Sequence, residues 1–273
     1  SWNPLQLTKE GEAYENFITY NQATPSRNNM GLSTGYTSGG RNYPNTSLNV
    51  IQKWPFAYDG NSTDVGDLTQ QRYAGAGAAS TTHGYYAGGF RPGTYNIIDK
   101  FPMISDANAT DVGNLIRTKQ RLAGTSSNEN GYSMGGYPVP QAGYEIDKYS
   151  FSTDGNATDV GNLTVNDQYR CGTASPTHGY VHGGTPPQNN IIEKFSFSVD
   201  GNATDVGNLT TTTYGSAGSN SASHGYRMGG YPIVNTIDKY SYASDGNATD
   251  AGDLIRTNRL IDGNSSATHG YLS

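Results

Sequence analysis

The stretch Asp154-Gly-Asn-Ala-Thr-Asp-Val-Gly-Asn-Leu163 decides the fold, because the chain repeats it almost unchanged. Close copies occupy residues 59–68, 106–115, 200–209 and 245–254, so the period stays between 45 and 48 residues. Repeats of about this length are typical of propeller blades, each of which is a small sheet of four strands. The repeat therefore predicts an all-β propeller and fixes the register of its blades.

One repeat unit contains four strand patterns in succession. In the unit that ends at Leu209, the predicted strands cover residues 169–175, 180–184, 191–197 and 204–209, and turns rich in Gly, Pro and Asn separate them. No window shows a sustained apolar spacing of three and four residues, so almost no helix is expected. Four antiparallel strands joined by short turns make one blade.

The two ends of the chain predict how the ring of blades closes. The chain stops after only two strands of a new unit, while residues 2–8 and 14–19 resemble degenerate third and fourth strands. We therefore expect residues 1–20 and 255–273 to form one shared closing blade, which gives six blades in a single domain over residues 1–273. The alternative is five blades plus an N-terminal extension.

Composition narrows the classes of partner. The net charge of −6 argues against nucleic acid as the main partner, and no apolar run is long enough for membrane insertion. The chain begins at Ser1 without an initiator Met or a signal peptide, which indicates processing or excision from a longer chain. Cys171 is a single cysteine and cannot form an intrachain disulfide.

Glycine pairs end the second strand of successive units, and an arginine often precedes the first strand. The pairs are Gly39-Gly40, Gly88-Gly89, Gly135-Gly136, Gly183-Gly184 and Gly229-Gly230. This pattern resembles kelch repeats and the galactose-oxidase-type propeller, although the Trp usual near the fourth kelch strand is replaced by Val-Gly-Asn-Leu. The phrases Asp-Gly-Asn-Ala-Thr-Asp, Thr-His-Gly-Tyr and Ile-Asp-Lys-Phe are similar to kelch-like arrays of marine bacteriophages, cyanophages among them. The resemblance implies an extracellular or virion-associated, receptor-binding role, with other virion proteins as further partners.

The repeated polar turn has a structural and a functional interpretation. Five copies of Asn-(Ala/Ser)-Thr are formal N-glycosylation acceptors, and they begin at Asn61, Asn108, Asn156, Asn202 and Asn247. The favoured interpretation is hairpin chemistry, in which Asp and Asn side chains bond nearby backbone groups. The alternative is a calcium site through Asp154, Asn156 and Asp159, which lacks EF-hand spacing. We expect no cofactor.

Other repeated groups also favour structural roles. Four histidines precede Gly-Tyr in the same register, where Asn130 and Thr34 replace them in other units; they are His83, His178, His224 and His269. This replacement predicts a turn hydrogen bond and no metal site. Cys171 occupies a position where other units carry small residues, which predicts a buried thiol and no copper centre of the galactose oxidase type.

The chain shows no catalytic motif, so we expect no enzyme activity. Most carboxylates lie at repeated positions. Those of the third strand, with the lysines that follow them, are predicted to form cross-strand surface pairs; the residues are Asp99, Asp147, Glu193 and Asp238 with Lys100, Lys148, Lys194 and Lys239. Asp167 and Glu145 lie outside the repeat pattern and have no obvious partner in the sequence.

The loops that vary between units indicate a binding surface. The loops between strands two and three should share a face with the crossovers between strands four and one, whereas the His-Gly and Asp-Gly-Asn turns lie opposite. Candidate ligand-binding residues in these crossovers are Arg27, Arg72, Arg121, Arg170, Arg259 and Tyr214. Candidates in the variable loops are Tyr43, Phe90, Arg91, Tyr95, Tyr137, Tyr144 and Tyr231. The alternative is that the loops drift freely and the arginines bond carbonyls near the axis.

These features together predict a non-enzymatic binding module. Tyrosine faces stack on sugar rings, and arginine pairs with carboxylate or sulfate, so a cell-surface glycan or a protein surface is the expected partner. Two alternatives are a glycan-active enzyme of the sialidase or lyase type and a purely structural virion protein.

Overall fold

A computed structural model describes residues 17–18, 21–23, 34–42, 46–138, 142–258, 261–266 and 269–272. Every regular element in these ranges is a β-strand, and the strands form a β-propeller of small antiparallel sheets, as the repeat predicted. None of the described segments is a helix with the length and apolarity that crossing a bilayer requires.

Five blades follow one another along the chain. Blade 1 contains β3 (Thr34–Ser38), β6 (Val50–Pro55) and β7 (Thr63–Asp67). Blade 2 contains β8 (Gly75–Ala79), β9 (His83–Ala87), β10 (Ile97–Pro102) and β11 (Thr110–Asn114). Blade 3 contains β12 (Ala123–Ser126), β13 (Asn130–Met134), β14 (Glu145–Ser150) and β15 (Thr158–Asn162). Blade 4 contains β16 (Cys171–Ala174), β17 (His178–His182), β18 (Ile191–Ser196) and β19 (Thr204–Asn208). Blade 5 contains β20 (Ala217–Asn220), β21 (His224–Met228), β22 (Thr236–Ser241) and β23 (Thr249–Asp253).

The remaining strands are short and lie outside these blades. They are β1 (Phe17–Ile18), β2 (Asn21–Ala23), β4 (Arg41–Asn42), β5 (Thr46–Ser47), β24 (Gly263–Ser265) and β25 (Gly270–Leu272). Strand β1 pairs with β4, and β2 pairs in parallel with the first strand of blade 2. Strands β24 and β25 pair with each other, and we call them the C-terminal hairpin.

The structure has five blades where the sequence favoured six, and five blades plus an N-terminal extension was the alternative. The expected third and fourth strands of a closing blade, at residues 2–8 and 14–19, lie mostly outside the described residues. Of that stretch the structure describes Phe17–Ile18, which pairs with Arg41–Asn42 and not with the C-terminal hairpin. A single domain over the whole chain stays a prediction.

The C-terminal hairpin lies between blade 5 and blade 1. Its inner strand follows that of blade 5, where a Cβ atom on Gly263 would overlap the carbonyl oxygen of Gly218. On its other side, Asn264 Nδ2 donates to the carbonyl of Tyr36 in blade 1, and Tyr271 stacks on Phe56 at 4.7 Å between ring centroids. The hairpin therefore joins the last blade to the first.

The core lies between blades and depends on aromatic pairs. In blades 2 to 4 a tyrosine of the second strand stacks on the aromatic residue that directly follows the third strand of the next blade. The centroid distances are 4.6 Å for Tyr85–Phe151, 5.0 Å for Tyr132–Phe197 and 4.9 Å for Tyr180–Tyr242. Such pairs bury large apolar areas, which explains how a chain with 33% hydrophobic residues forms a core.

The repeated Asp-Gly-Asn-Ala turns of blades 2 to 5 join each of these blades to the preceding one. In blade 4 the Asn202 Oδ1 atom accepts the Asn162 N–H at 3.0 Å, and the Ala203 N–H donates to the Asn162 carbonyl at 2.8 Å. Asp200 forms an ion pair of 2.6 Å with Lys148. We call this set of three contacts the clasp, and it recurs from blade 1 through blade 5. The turn is therefore structural, as favoured, but its asparagine bonds the neighbouring blade.

Replacing the clasp asparagine should destabilise the propeller. We expect Asn202→Ala to lower the free energy of unfolding by about 1 kcal/mol, because the Asn162 N–H loses its acceptor. Denaturant unfolding measures the change. The control Asn128→Ala removes an exposed asparagine from the turn between β12 and β13 and should leave stability unchanged. Equal losses in the two variants would contradict a specific role for the clasp.

Candidate binding face

The loops between second and third strands (the 2–3 loops) lie beside the crossovers that enter each blade (the 4–1 crossovers). In blades 2 to 5 the residue after the glycine pair bridges to a crossover residue, and the bridged pairs are Phe90–Tyr73, Tyr137–Gln120, Thr185–Gln168 and Tyr231–Tyr214. The second glycine of each pair also donates its N–H to the next crossover, as Gly89 does to the Lys119 carbonyl at 2.8 Å. These bonds place both sets of loops on one face, which we call the loop face, and hold the loops rigidly.

Residues with a left-handed backbone conformation lie at the inner end of the loop face, one in each of four successive blades. Ala74, Arg121, Tyr169 and Gly215 occupy equivalent positions just before the inner strands, with φ angles of 61°, 61°, 59° and 61°. Arg121, Tyr169 and Gly215 each donate their N–H to the carbonyl of the equivalent residue of the preceding blade, at N···O distances between 2.6 and 3.0 Å. This conformation suits Gly215 and costs an Arg or a Tyr roughly 1–2 kcal/mol. Arg121 and Tyr169 are therefore held in a strained backbone conformation, which is common at functional sites.

Arg121 is partly exposed and packed between two tyrosines. Its guanidinium carbon lies 4.7 Å from the ring centroid of Tyr169 and 5.4 Å from that of Tyr137. Its Nη1 donates to Gln168 Oε1 at 2.7 Å. Stacking of this kind orients the planar guanidinium and leaves its edge available for hydrogen bonds.

Further tyrosines extend this arrangement across blades 4 and 5. The Tyr169 ring lies 5.7 Å from Tyr214, which lies 5.0 Å from Tyr231. We call Arg121, Tyr137, Tyr169, Tyr214 and Tyr231 the Arg121 cluster. The structure thus brings together four predicted site residues and adds Tyr169, which the sequence analysis assigned only to a strand. Tyr169 could have been identified from the sequence, because its position in the repeat holds a different residue in each unit, including Arg121.

A smaller cluster lies near blades 1 and 2. The Tyr73 ring packs against Phe90 at 5.6 Å, and the Arg41 guanidinium lies 5.2 Å from the Tyr73 centroid. Arg91 Nη1 donates to Ser47 Oγ at 3.3 Å and so links the loops of these blades. Arg41 and Tyr73 were not among the predicted site residues.

The other candidates do not join either cluster. Tyr95 is half-buried in its loop, and its carbonyl accepts the Lys119 N–H. Tyr144 is exposed beside the third strand of blade 3. Arg27, Tyr43 and Arg259 lie outside the described residues.

Arg72 and Arg170 are buried and do not face solvent. Arg72 forms an ion pair of 2.8 Å with Asp99 and donates to the Tyr86 carbonyl at 3.2 Å. Arg170 pairs with Asp167 and Glu193 and donates to a backbone carbonyl. For these two residues the structure agrees with the alternative interpretation, in which the arginines bond carbonyls.

The predicted surface pairs on the third strands are wrong. Their carboxylates are buried, and each accepts the N–H at the start of the crossover that enters its own blade; these carboxylates are Asp99, Asp147, Glu193 and Asp238. The adjacent lysines instead form the clasp ion pairs, as Lys100 does with Asp154 at 2.9 Å. Successive residues of a strand point to opposite sides of the sheet, so an adjacent Asp and Lys cannot face each other.

Each buried carboxylate has a buried cation, and these cations come from different positions. Arg72 and Lys119 lie three and four residues before the inner strands of their blades, Arg170 directly precedes β16, and Arg227 lies in a second strand. Arg227 was missed because its register holds Tyr86, Ser133 or Val181 in other blades. Every one of these blades therefore neutralises its buried carboxylate with a buried cation, but the cation comes from a different sequence position in different blades.

The two carboxylates outside the repeat do have partners. Glu145 pairs with Arg117 at 2.5 Å and with Lys119 at 3.4 Å. Asp167 accepts from Asn189 at 2.5 Å and lies 3.2 Å from Arg170, which it shares with Glu193. Burial raises the pKa of Asp167 from 3.8 to about 7, although Arg170 opposes the shift.

The turn hydrogen bond predicted for the repeated histidines is present at three of them, and Cys171 is buried as predicted. The Nδ1 atoms of His83, His178 and His224 lie 2.8 Å from the hydroxyl of the preceding Thr or Ser, as expected for turn hydrogen bonds. Cys171 is buried with its Sγ 3.0 Å from His182 Nδ1, and burial raises the pKa of its thiol to about 12. Within the described ranges, no three His, Cys, Asp or Glu residues are grouped so that they could hold a metal ion.

No protein-family model matches the chain, and comparison with curated proteins gives no match either.

The pKa of Asp167 leads to a prediction for the pH dependence of stability. The folded state holds this proton up to about pH 7, whereas the unfolded chain releases it near pH 3.8, so the free energy of unfolding falls as the pH rises between these values. The slope from one such group is at most about 1.4 kcal/mol per pH unit.

Asp167→Asn should remove this contribution. Denaturant unfolding from pH 4 to 7 should show the variant gaining stability relative to the unsubstituted protein as the pH rises. Glu129→Gln removes an exposed carboxylate and should give a curve parallel to that of the unsubstituted protein. Parallel curves for Asp167→Asn would contradict the raised pKa.

Proposed function

We propose that this chain is a non-enzymatic binding module that recognises an acidic glycan through the Arg121 cluster on its loop face. The observation that carries the proposal is Arg121 itself, a partly exposed arginine stacked between two tyrosines on a strained backbone. Strain of this kind persists only where the surroundings maintain it, and it concentrates at ligand sites.

The chemistry of the cluster favours sugars that carry carboxylate or sulfate. An arginine whose plane is fixed by stacking can offer two parallel N–H groups to a carboxylate or sulfate. The neighbouring tyrosines, Tyr137, Tyr214 and Tyr231, offer aromatic faces and hydroxyl groups to a sugar ring. Arg121 supplies a positive charge at this cluster, which favours anionic ligands there.

The surroundings of the acidic residues support binding without catalysis. A glycosidase of the usual kind needs two carboxylates that flank the sugar. Asp167 is fully buried and paired with Arg170, while Glu145 is nearly buried and paired with Arg117 and Lys119. Both carboxylates therefore already have charged partners within the protein.

The finer identity of the propeller belongs to the same proposal. The glycine pairs and the repeated phrases support a kelch-like propeller of the kind found in marine phages. In that setting the module acts outside the cell or on a virion, where it contacts cell-surface polysaccharide and other virion proteins.

Substitution of Arg121 tests the proposal without unfolding the protein. Ala74 holds the equivalent position with the same φ, so Arg121→Ala should keep the fold. We expect this variant to bind uronic-acid and sulfated oligosaccharides about 10- to 100-fold more weakly, since a hydrogen bond to a charged group contributes about 1.5–3 kcal/mol. Isothermal titration measures the affinities.

A matched control separates the site from the overall charge. Arg256→Ala removes an exposed arginine from the segment after blade 5 and should leave the affinity unchanged. Neutral oligosaccharides of the same length should bind weakly to the unsubstituted protein. The proposed site is wrong if Arg121→Ala binds acidic glycans as tightly as the unsubstituted protein does.

A further inference from the structure

Arg41 and Arg121 are two half-buried arginines of the loop face that form no ion pair with any described residue. Each stacks on a tyrosine and donates to an uncharged oxygen. Arg41 Nη1 lies 3.4 Å from the Tyr73 hydroxyl, and Arg121 Nη1 lies 2.7 Å from Gln168 Oε1. The buried arginines, in contrast, are all paired with carboxylates; they are Arg72, Arg170 and Arg227. The loop face therefore carries two positive charges that no described carboxylate neutralises.

The backbone of blade 1 holds Arg41 in a fixed position. Arg41 follows a glycine pair, so it occupies in blade 1 the position that the other blades fill with Phe90, Tyr137, Thr185 and Tyr231. The Gly40 N–H donates to the Arg72 carbonyl at 3.0 Å, and Tyr73 is the next residue of that crossover. Arg41 is thus set against the crossover into blade 2 by the same kind of backbone bond that positions the other 2–3 loops.

A second arginine and two aromatic rings lie beside Arg41. Arg41 is opposite Ser47 in the pairing of β4 with β5, and Ser47 Oγ accepts from Arg91 Nη1 at 3.3 Å. Arg91 has a φ of 144°, which residues other than glycine rarely adopt and which is common at functional sites. Tyr73 and Phe90 pack edge to face at 5.6 Å between centroids. We call Arg41, Tyr73, Phe90 and Arg91 the Arg41 subsite.

The Arg41 subsite and the Arg121 cluster are neighbours on the loop face. The Arg121 N–H donates at 2.6 Å to the carbonyl of Ala74, which is the residue directly after Tyr73. Tyr73 is in turn bridged to Phe90. From blade 1 to blade 3, an arginine, an aromatic pair and a second arginine therefore follow one another across the face.

We propose that the Arg41 subsite binds a second acidic group of the same ligand, so that the ligand is a linear polysaccharide with acidic groups on separate sugars. This inference rests on the proposed function of the Arg121 cluster. Arg41 pairs with one carboxylate or sulfate and Arg121 with another, while the Tyr73 ring stacks on a sugar between them. Once one acidic group is bound, the second contact is intramolecular, so a ligand that carries both binds more tightly than a single acidic sugar does.

Isothermal titration of the full chain with oligogalacturonates of increasing length tests this inference. The affinity of the unsubstituted protein should rise once the oligomer is long enough to reach both arginines. Arg41→Thr should keep the fold, because Thr185 holds the equivalent position in blade 4. We expect this variant to bind the long oligomers about 10- to 100-fold more weakly and the dimer with unchanged affinity, since the dimer fills only the Arg121 cluster.

Two further variants separate the Arg41 guanidinium from its charge and from the overall charge. Arg41→Lys keeps the positive charge but loses the planar group, so it should weaken binding of the long oligomers less than Arg41→Thr does. Arg256→Ala removes an exposed arginine away from both sites and should bind every length as the unsubstituted protein does. An equal loss in Arg256→Ala and Arg41→Thr would overturn the Arg41 subsite.

Arg121→Ala distinguishes failure of the subsite from failure of the proposed function. If Arg121→Ala weakens binding of every length and Arg41→Thr weakens none, the Arg41 subsite is wrong and the proposed function stands. If Arg121→Ala changes no affinity, the proposed function is wrong and this inference falls with it. Oligoglutamate of matched charge has no sugar ring to stack on Tyr73 and should bind more weakly; tighter binding of oligoglutamate would show that the ligand is an acidic peptide and would overturn the polysaccharide.

Discussion

The backbone of each blade lies so close to that of its neighbour that both the inner and the outer strands need glycine. At the inner strands, a Cβ atom on Gly124, Gly172 or Gly218 would overlap the carbonyl oxygen of the preceding glycine. At the outer strands, the Asp-Gly-Asn-Ala turn lies against Gly66 and its equivalents. This approach explains why the chain repeats one phrase so faithfully, since a clasp fits only when acid, asparagine and alanine all keep their places.

Rigid blades allow the loop face to vary. The 2–3 loops differ in sequence, yet those of blades 2 to 5 are each bonded to two crossovers through the same backbone groups, so side chains can change without loss of the scaffold. The positions with left-handed backbone conformation illustrate this variation, because equivalent positions hold Ala74, Arg121, Tyr169 and Gly215. The residues at this position in blades 3 and 4, Arg121 and Tyr169, form part of the Arg121 cluster.

Buried and exposed ion pairs contribute differently to this structure. The clasp ion pairs are partly exposed and contribute little individually. The carboxylates of the third strands are buried, and each needs a cation and a backbone donor to offset its desolvation. Because the requirement is for a positive charge at one place, Arg72, Lys119, Arg170 and Arg227 can each meet it from a different position in the sequence.

The sequence by itself determined the all-β class, the propeller, the four-stranded unit and the face that carries the variable loops, because strand periodicity and turn residues are local properties. Only the tertiary structure decided that Asp99 and its equivalents are buried and that Arg72 and Arg170 form ion pairs with two of them. It also decided that Arg121 remains partly exposed. It also gave five blades where six were favoured, and it joined Tyr169, Tyr214 and Tyr231 into one surface. These outcomes depend on contacts between blades about 45 residues apart in the chain, and no local pattern encodes which side chain reaches across that distance.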